Sequence, residues 1–280
     1  MPSYDVHQHL WPASVVEVLR ARREPPRLDG DVLVLAEGRF HVDLREHDPA
    51  ERLGLLDRDG VDVAVLSPAP TLEWEACGEL ADAYHEGARE LAASSGGRFL
   101  ALACGACLEG FAGACVSAAA LVAGLGELPA KLERAGRVLF VHPGPPVPPP
   151  ESAPPWWCAV TDYTAQMQAA YFAWVDEGAG RHPGLNVVFA ILAGGAPVQL
   201  ERLHSRDPGR TSIHTNVYLD TASYGRRAIE LCLGAVGAGQ LVYGSDVPVV
   251  DPRPTLDALA ALGPSVEAAA RRENPTNLFG

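Results

Sequence analysis

The sequence predicts an α/β protein built as a single (β/α)8 TIM barrel with a β-hairpin inserted after the first strand. Its 280 residues suit one barrel, which usually needs about 250. Short apolar runs alternate with longer segments of helical periodicity, which is typical of βα units around a parallel sheet. Polar residues, not a Gly-rich turn, follow the first run, which favours a barrel over a dinucleotide-binding sheet. We expect residues 1–280 to form one domain.

Eight apolar runs are the predicted strands, and the fourth is the least regular. They are Tyr4–His9, Val61–Ser67, Phe99–Ala103, Ala114–Ala118, Val138–His142, Asn186–Leu192, Val217–Thr221 and Gln240–Gly244. Seven segments have helical spacing: Asp48–Arg58, Leu72–Ser94, Leu125–Ala135, Tyr163–Glu177, Pro197–Leu203, Arg226–Val236 and Thr255–Leu262. Each helix follows a strand, as a barrel requires.

Two segments depart from this alternation. Val32–Leu44 is predicted to form two short strands that turn at Glu37-Gly38, within an insertion at about 30–47. Because loops after the strands build barrel active sites, this hairpin could overhang the barrel mouth, and a decorative insertion is the alternative. The segment 142–157 is rich in proline and is predicted to be an extended loop.

Charge and composition exclude several classes of partner. The chain carries 22 basic and 35 acidic residues, a formal net charge of −13, which disfavours nucleic acid. We expect no membrane association, because no apolar run approaches the ~20 residues that cross a bilayer. The N-terminus lacks the pattern of a signal peptide, and the six cysteines do not suggest a disulfide framework. We therefore expect a cytoplasmic protein.

Four residues at predicted strand ends are candidate metal ligands. His7 and His9 are two apart on one strand, so their side chains point the same way. His142 closes the fifth strand and Asp246 follows the eighth, so both would open on the same face of a barrel. A turn histidine and a helix cap are the alternatives for these two. Nitrogen and oxygen ligands predict one divalent metal, for which zinc fits best and manganese or iron are alternatives.

The chain resembles the amidohydrolase superfamily, in particular the amidohydrolase-related branch that includes aminocarboxymuconate-semialdehyde decarboxylase and related benzoate-type decarboxylases. The resemblance rests on Asp5–Leu10, Val141–Gly144, Asn186–Leu203 and Tyr243–Asp246, and it implies the metal set His7, His9, His142 and Asp246. One position departs from the family pattern. Where the family carries His-x-Gly-Gly after strand six, this chain has Leu192-Ala-Gly-Gly. No lysine ends strand four, which implies a mononuclear site.

The function expected from these residues is metal-dependent hydrolysis of a small-molecule amide, ester or lactone, with Asp246 as the general base. Two alternatives stay open: non-oxidative decarboxylation of a small aromatic or unsaturated acid, and a non-catalytic protein that retains the metal, for which Leu192 is the evidence. A homodimer is a further possibility. The candidate substrate-binding residues follow strands one, five, six and seven or lie on the hairpin: Trp11, His41, Trp156, Trp157, Leu192, Ser223 and Tyr224.

Overall fold

The computed structural model describes residues 1–74, 76–209 and 214–280. Its strands, in chain order, are β1 (Tyr4–Gln8), β2 (Arg27–Asp29), β3 (Val32–Leu35), β4 (Gly38–His41), β5 (Val63–Leu66), β6 (Phe99–Cys104), β7 (Gly113–Ser117), β8 (Val138–His142), β9 (Val187–Phe189), β10 (Val217–Asp220) and β11 (Leu241–Val242). Eight of them form one parallel sheet in the order β1-β5-β6-β7-β8-β9-β10-β11. The predicted eight parallel strands are confirmed.

The sheet closes on itself between β1 and the segment that follows β11. The Val6 N–H donates to the Tyr243 carbonyl at 2.9 Å, and the His9 N–H donates to the Val247 carbonyl at 2.8 Å. These bonds continue the parallel ladder across the seam. The fold class predicted from the sequence, a TIM barrel, is therefore confirmed.

Helices lie between the barrel strands and cover the sheet. They are α1 (Ala13–Ala21), α2 (Pro49–Asp59), α3 (Gly78–Ser94), α4 (Ala118–Ala123), α5 (Leu128–Arg134), α6 (Trp157–Val160), α7 (Asp162–Ala173), α8 (Ala179–Arg181), α9 (Leu200–Arg206), α10 (Arg226–Val236), α11 (Arg253–Ala261), α12 (Pro264–Ala268) and α13 (Asn274–Phe279). Helix α2 shows how sequence sets the bounds. Asp48 accepts hydrogen bonds from the first-turn N–H groups, Pro49 occupies the first helical position, and left-handed Gly60 ends the helix.

Burial explains why the strands appear as continuous apolar runs. All five residues of β8 are buried, and so are all three of β9, because helices cover one face of the sheet and the barrel interior the other. The fourth strand, which was the least regular in sequence, is β7, and its five residues are also buried. Within β7, Gly113 has no room for a side chain, because a Cβ there would lie 2.2 Å from the Val138 carbonyl oxygen.

The structure differs from the sequence prediction at several elements. The sixth strand ends at Phe189, three residues before the predicted Leu192, because the backbone from Ile191 onward becomes left-handed. Helix α7 ends at Ala173, and residues 174–178 continue as one π-helical turn. Helices α1, α4, α6, α8, α12 and α13 have no counterpart in the sequence prediction.

The insertion after β1 is a three-stranded antiparallel sheet of β2, β3 and β4, not a two-stranded hairpin. At its tip, the Glu37 carboxylate accepts a hydrogen bond from the Tyr163 hydroxyl on α7 at 2.8 Å. The insertion therefore reaches from β1 to the helix that follows β8. Among the described helices, none combines the length and the apolar character that a bilayer span requires.

Candidate metal centre

Three strand ends bring four side chains together at the carboxyl end of the barrel. His7 and His9 come from β1, His142 is the last residue of β8, and Asp246 follows β11. One donor atom from each lies within 4.8 Å of every other. Nε2 of His7 is 3.2 Å from Nε2 of His9, and Oδ1 of Asp246 is 3.1 Å from the latter. The structure thus brings together the four side chains that the sequence predicted as metal ligands, and their binding of a metal stays a prediction.

The tautomers of the three imidazoles are fixed by their Nδ1 partners. His7 Nδ1 lies 2.8 Å from Asp220 Oδ2, His9 Nδ1 lies 2.8 Å from the Ser67 carbonyl, and His142 Nδ1 lies 2.8 Å from the Pro143 carbonyl. Because each partner is an acceptor, each Nδ1 carries the proton. The three Nε2 atoms are then lone-pair donors that point at one another and at a carboxylate. This donor set fits a divalent cation.

The pKa shifts of three of the four side chains show that their surroundings favour a positive charge between them. Burial lowers the pKa of His7, but the charges of Asp220 and Asp246 outweigh it and raise that pKa to about 9. Burial also lowers the pKa of His142, and the neighbouring His7 and His9 lower it further. Burial acts to raise the pKa of Asp246, but interactions with His7 and His9 prevail and lower it to about 2. Without a cation, the neighbouring carboxylates therefore favour a second proton on His7, at Nε2.

Asp220, the last residue of β10, orients His7. It is fully buried, and its Oδ2 accepts from His7 Nδ1. Its Oδ1 accepts from the backbone N–H groups of Ile191 at 3.1 Å and Ala222 at 2.8 Å. Next to it, Gly244 must lack a side chain, because a Cβ there would lie 2.8 Å from the His7 Cβ. The approach of the β11 end to β1 and β10 is therefore close enough to require glycine.

A left-handed turn follows β9 beside Asp220. Residues 191–195 all have positive φ, between 46° and 79°, and three of them are not glycine. Leu192 belongs to this turn and is only 1 % exposed. Left-handed backbone costs about 1–2 kcal/mol for each non-glycine residue, so surrounding contacts must hold it. Asp220 binds the N–H of Ile191, and the Gln168 amide donates to the Gly194 carbonyl at 2.8 Å.

A buried network of hydrogen bonds holds the backbone of β1 in place. The Arg52 guanidinium, almost fully buried, donates to the Gln8 Oε1 at 3.0 Å and to the His9 carbonyl at 3.1 Å. Gln8 donates in turn to Asp5 at 2.7 Å, and Asp5 also accepts the Ser245 N–H at 3.0 Å. These bonds restrain the backbone that carries the two β1 histidines and tie it to the end of β11.

Two predicted substrate-binding residues near β1 occupy different surroundings. Trp11 is buried, and its ring stacks on His47 with centroids 4.2 Å apart. The backbone N–H of Trp11 donates to His47 Nδ1 at 3.0 Å. His41, on β4, is 77 % exposed and lies 3.5 Å from Asp31. The structure therefore packs Trp11 beside the ligand strand but leaves His41 on the surface of the insertion.

The remaining predicted residues lie after β8 and β10. Trp156 is 56 % exposed and stacks on half-buried Trp157, with ring centroids 6.0 Å apart. Ser223 is exposed in a turn at φ 67°, and Tyr224 is half-buried, with its carbonyl accepting from Thr255 at 3.0 Å. Of this group, Trp157 and Tyr224 are the more enclosed side chains.

The sequence did not single out Asp220, which contacts His7, or His47, which contacts Trp11 two residues after His9. Asp220 was one of four polar residues at the end of strand seven, and its position as the last strand residue was the available signal. His47 lies in a short 3-10 turn, Leu44–His47, where no periodicity indicates which way a side chain points. Burial lowers the pKa of His47 to about 3, helped by the charges of Arg52 and His9.

A surface cleft of about 980 Å³ lies between residues 43–58 and residues 247–253. None of the four ligands lines it. Two of its exposed arginines are neutralised locally, because Arg45 pairs with Asp43 and Arg253 pairs with Asp251, each through three or more hydrogen bonds. The cleft is therefore distinct from the metal centre.

Solved structures share this fold at low sequence identity. A 2,6-dihydroxybenzoate decarboxylase from Rhizobium is 16% identical, with a TM-score of 0.72 over 100% of this chain and 98% of that chain. A 5-carboxyvanillate decarboxylase from Sphingomonas paucimobilis is 17% identical, with a TM-score of 0.70 over 99% and 98%. A dihydroxybenzoic acid decarboxylase from Polaromonas sp. JS666, with bound manganese and 2-nitroresorcinol, is 15% identical, with a TM-score of 0.69 over 99% and 96%.

A search of curated proteins found no match to this sequence. The family comparison is more informative, because the amidohydrolase family model matches residues 4–280. That range includes all four candidate ligands and every strand of the barrel. The superfamily resemblance inferred from the motifs is thereby confirmed, and this chain belongs to the amidohydrolase family.

Proposed function

We propose that this enzyme is a metal-dependent, non-oxidative decarboxylase of a small aromatic or unsaturated acid. The observation that carries the proposal is the buried set of three imidazoles and one carboxylate, bordered by an apolar left-handed turn instead of an acid–base histidine. Decarboxylases with the same fold support this choice over the hydrolase that the sequence alone favoured.

His7, His9, His142 and Asp246 would hold the metal. When bound, a divalent cation there would supply positive charge to the oxygen atoms of the substrate. In the reaction, the bond between the carboxylate and its carbon breaks, the electron pair stays on that carbon, and one proton replaces the departing CO2. Asp246 is suited to relay that proton, because its side chain is 13 % exposed and so retains contact with solvent. Asp220 is not suited, since both of its oxygens are bonded.

The turn that carries Leu192 would favour loss of the carboxylate. A carboxylate beside apolar side chains loses hydration, whereas neutral CO2 has little hydration to lose. Leu192 is 1 % exposed, and Ile191 in the same turn binds Asp220, so the turn lies next to the ligands. Ester or amide hydrolysis, in contrast, benefits from a second acid–base group that protonates the leaving group. Leucine cannot provide it at this position.

Metal identity belongs to the proposal as well. Three imidazoles and a carboxylate suit zinc, while the Polaromonas neighbour was solved with manganese. We expect about one divalent metal per chain. Metal analysis of protein purified without chelator, followed by reconstitution with each ion, would distinguish zinc from manganese.

We further propose that residues 1–280 act as one unit in which the insertion at about 30–47 covers the barrel mouth above a small-molecule substrate. The hydrogen bond between Glu37 and Tyr163 supports this arrangement, because it joins the insertion to the helix after β8. Trp157 and Tyr224 are the predicted substrate-binding side chains best placed to wall the space beneath. The cytoplasmic location and a homodimer stay predictions.

The test is an activity screen with the metal-loaded protein. Aromatic and unsaturated acids, including 2,6-dihydroxybenzoate and 5-carboxyvanillate, would be assayed for CO2 release, and esters, lactones and amides for hydrolysis. We expect CO2 release from at least one acid and a loss of about 10²–10⁴-fold in Asp246→Asn. Arg181→Ala serves as the control variant, since Arg181 is exposed on α8 and pairs with Glu177.

The other outcomes separate the remaining functions. Turnover of esters, lactones or amides without CO2 release from any acid would contradict the decarboxylase and restore the hydrolase. Stoichiometric metal with no turnover in either screen would favour the non-catalytic binding protein, for which Leu192 is the sequence evidence. Absence of bound metal in both the parent and the His7→Ala variant would reject the metal centre itself.

A further inference from the structure

We propose that His47, which the insertion contributes, is a substrate-binding residue whose Nε2–H donates to an oxygen of the ligand at the metal centre. The inference rests on the proposed metal-dependent function, because it assigns a contact at the open side of that site. It also gives the insertion a chemical role, namely to deliver a hydrogen-bond donor that β1 itself lacks.

The position of His47 is set by the ligand strand. Its ring stacks on Trp11 with an interplanar angle of 8° and a centroid distance of 4.2 Å. Trp11 lies two residues after His9, and the charge on His9 is close enough to influence His47. The ring is therefore held against the end of β1, where the metal ligands are, and both partners are buried.

One hydrogen bond determines the tautomer of His47. The backbone N–H of Trp11 donates to Nδ1 of His47 at 3.0 Å, so Nδ1 must present a lone pair. A neutral imidazole then carries its proton on Nε2. Within the described residues, no acceptor for this Nε2–H is recorded, and Nε2 is absent from the fully enclosed polar atoms that lack a partner. Nε2 therefore retains access to the space around it.

The surrounding chain indicates which space this is. Glu46 and Asp48, on either side of His47, line the surface cleft between residues 43–58 and 247–253, but His47 does not. Its ring stacks instead on Trp11, which follows the two candidate ligands of β1. His47 is 6 % exposed, and in the proposed arrangement this exposed edge is on the side of the metal centre.

This geometry defines what the residue can recognise. An Nε2–H in a fixed tautomer is a donor and cannot accept a proton from the ligand. It suits a carboxylate or phenolate oxygen, and hydrogen bonds to charged acceptors are the stronger kind. His47 would thus select an anionic ligand and set its orientation, while leaving proton transfer to Asp246.

Three variants separate the two nitrogens of His47. His47→Asn retains an acceptor near the Nδ1 position for the Trp11 N–H but removes the outward donor. His47→Gln retains a donor near the Nε2 position. His47→Met matches the length of glutamine without a donor, so the Gln and Met variants share the same loss at Nδ1 and differ in the group that faces the ligand.

Azide binding to the cobalt(II)-loaded protein, followed by visible absorption, measures the contact without turnover. We expect azide to bind His47→Asn about tenfold more weakly than the parent, since a hydrogen bond to an anion is lost. We expect His47→Gln to bind azide more tightly than His47→Met. Cobalt affinity, measured by chelator competition, should stay within about threefold of the parent in all three variants.

Failure of this inference can be distinguished from failure of the proposed function. Equal azide affinity in the parent and in His47→Asn would overturn it, and so would equal affinity in the Gln and Met variants. If the Asn variant does not fold, the Gln–Met comparison decides alone. Cobalt uptake with no spectral response to azide in the parent would also overturn it. No uptake of cobalt at all would instead reject the metal centre.

Discussion

At the scale of single residues, Asp220 shows how the site separates orientation from chemistry. All of its described hydrogen bonds are accepted from groups that it holds in place: the His7 ring and the N–H groups of Ile191 and Ala222. Because it is fully buried, no edge of its carboxylate reaches solvent. Its contribution is therefore to fix the His7 tautomer and to increase the basicity of Nε2.

Replacing Asp220 tests this role. In Asp220→Asn the side chain has the same shape but no charge, so we expect metal affinity to fall by about 10–100-fold. Chelator competition measures the change, and circular dichroism checks the fold. Ser223→Ala, an exposed residue three positions on, should bind metal like the parent. Unchanged affinity in Asp220→Asn would show that His7 is oriented by packing alone.

Strand geometry made the convergence of the four candidate ligands predictable from the sequence, while ligation itself stays a prediction. His7, His9, His142 and Asp246 all lie at strand ends, and parallel strands bring such ends to one face. The residues after strand seven could not be ranked in this way, because a turn at positive φ at Ser223 changes the direction of the chain. Sequence alone therefore did not favour Asp220 over its neighbours.

At the scale of elements, the left-handed turn at residues 191–195 is the most constrained feature next to the site. Its conformation is maintained by Asp220 on β10 and by Gln168 and Thr164 on α7. Periodicity predicted a strand through Leu192, since the apolar run continues, and apolar content alone does not reveal a change of backbone handedness. Tertiary contacts made after β9 decide where this strand ends.

Two glycines of the turn allow a matched stability experiment. In Gly194→Ala the new Cβ would lie 2.3 Å from the Thr164 carbonyl oxygen, so we expect a loss of about 2–4 kcal/mol in the free energy of unfolding. In Gly195→Ala nothing lies within 4 Å, and the left-handed backbone alone should cost about 1 kcal/mol. Urea unfolding measures both variants. Equal losses would mean that α7 does not restrain the turn.

The inserted sheet supports a different prediction. Tyr163→Phe removes the hydrogen bond to Glu37, the contact recorded at the tip of the insertion. We expect faster amide hydrogen exchange in β3 and β4 with little change in the global melting temperature, since the barrel core is untouched. Mass spectrometry of exchanged peptides measures this. Arg181→Ala, an exposed residue after α7, is the control, and equal exchange in both variants would contradict a role for the contact.

At the scale of the whole molecule, the seam between β1 and β11 determines how metal and fold depend on each other. β11 has two residues, so few backbone bonds close the barrel there. His7 and His9 lie on one side of the seam and Asp246 on the other. A bound cation would therefore join the two sides directly and stabilise the closed barrel by mass action.

The effect of pH on this stabilisation follows from His7. Its pKa is raised to about 9 without metal, so protonation stabilises the fold below pH 6.5, and that contribution is lost as the pH rises through 9. Metal competes with this proton. We expect the manganese-induced rise in melting temperature to grow between pH 6.5 and 9. Scans with and without chelator measure it, with His7→Gln as the control, and a rise that shrinks with pH would contradict the competition.

The global architecture was predictable because it depends on features that repeat along the chain. Eight apolar runs separated by helical segments identify a parallel sheet with covered faces, and a single irregular run such as Gly113–Ser117 does not change that conclusion. The third strand of the insertion, β2, was missed because three residues are too few to show alternation. Helices α12 and α13 were missed in a segment without clear apolar spacing.

The seam also governs when the site can form during synthesis. His7 and His9 are synthesised well before Asp246, because seven of the eight barrel strands precede Asp246 and follow or contain these histidines, and β11 comes just before it. Until then His7 and His9 lack the carboxylate and the neighbouring strand that complete their surroundings. Before β11 and Asp246 are synthesised, the nascent chain can offer at most an incomplete set of the proposed donors, so metal binding at this site would follow the synthesis of the last barrel strand.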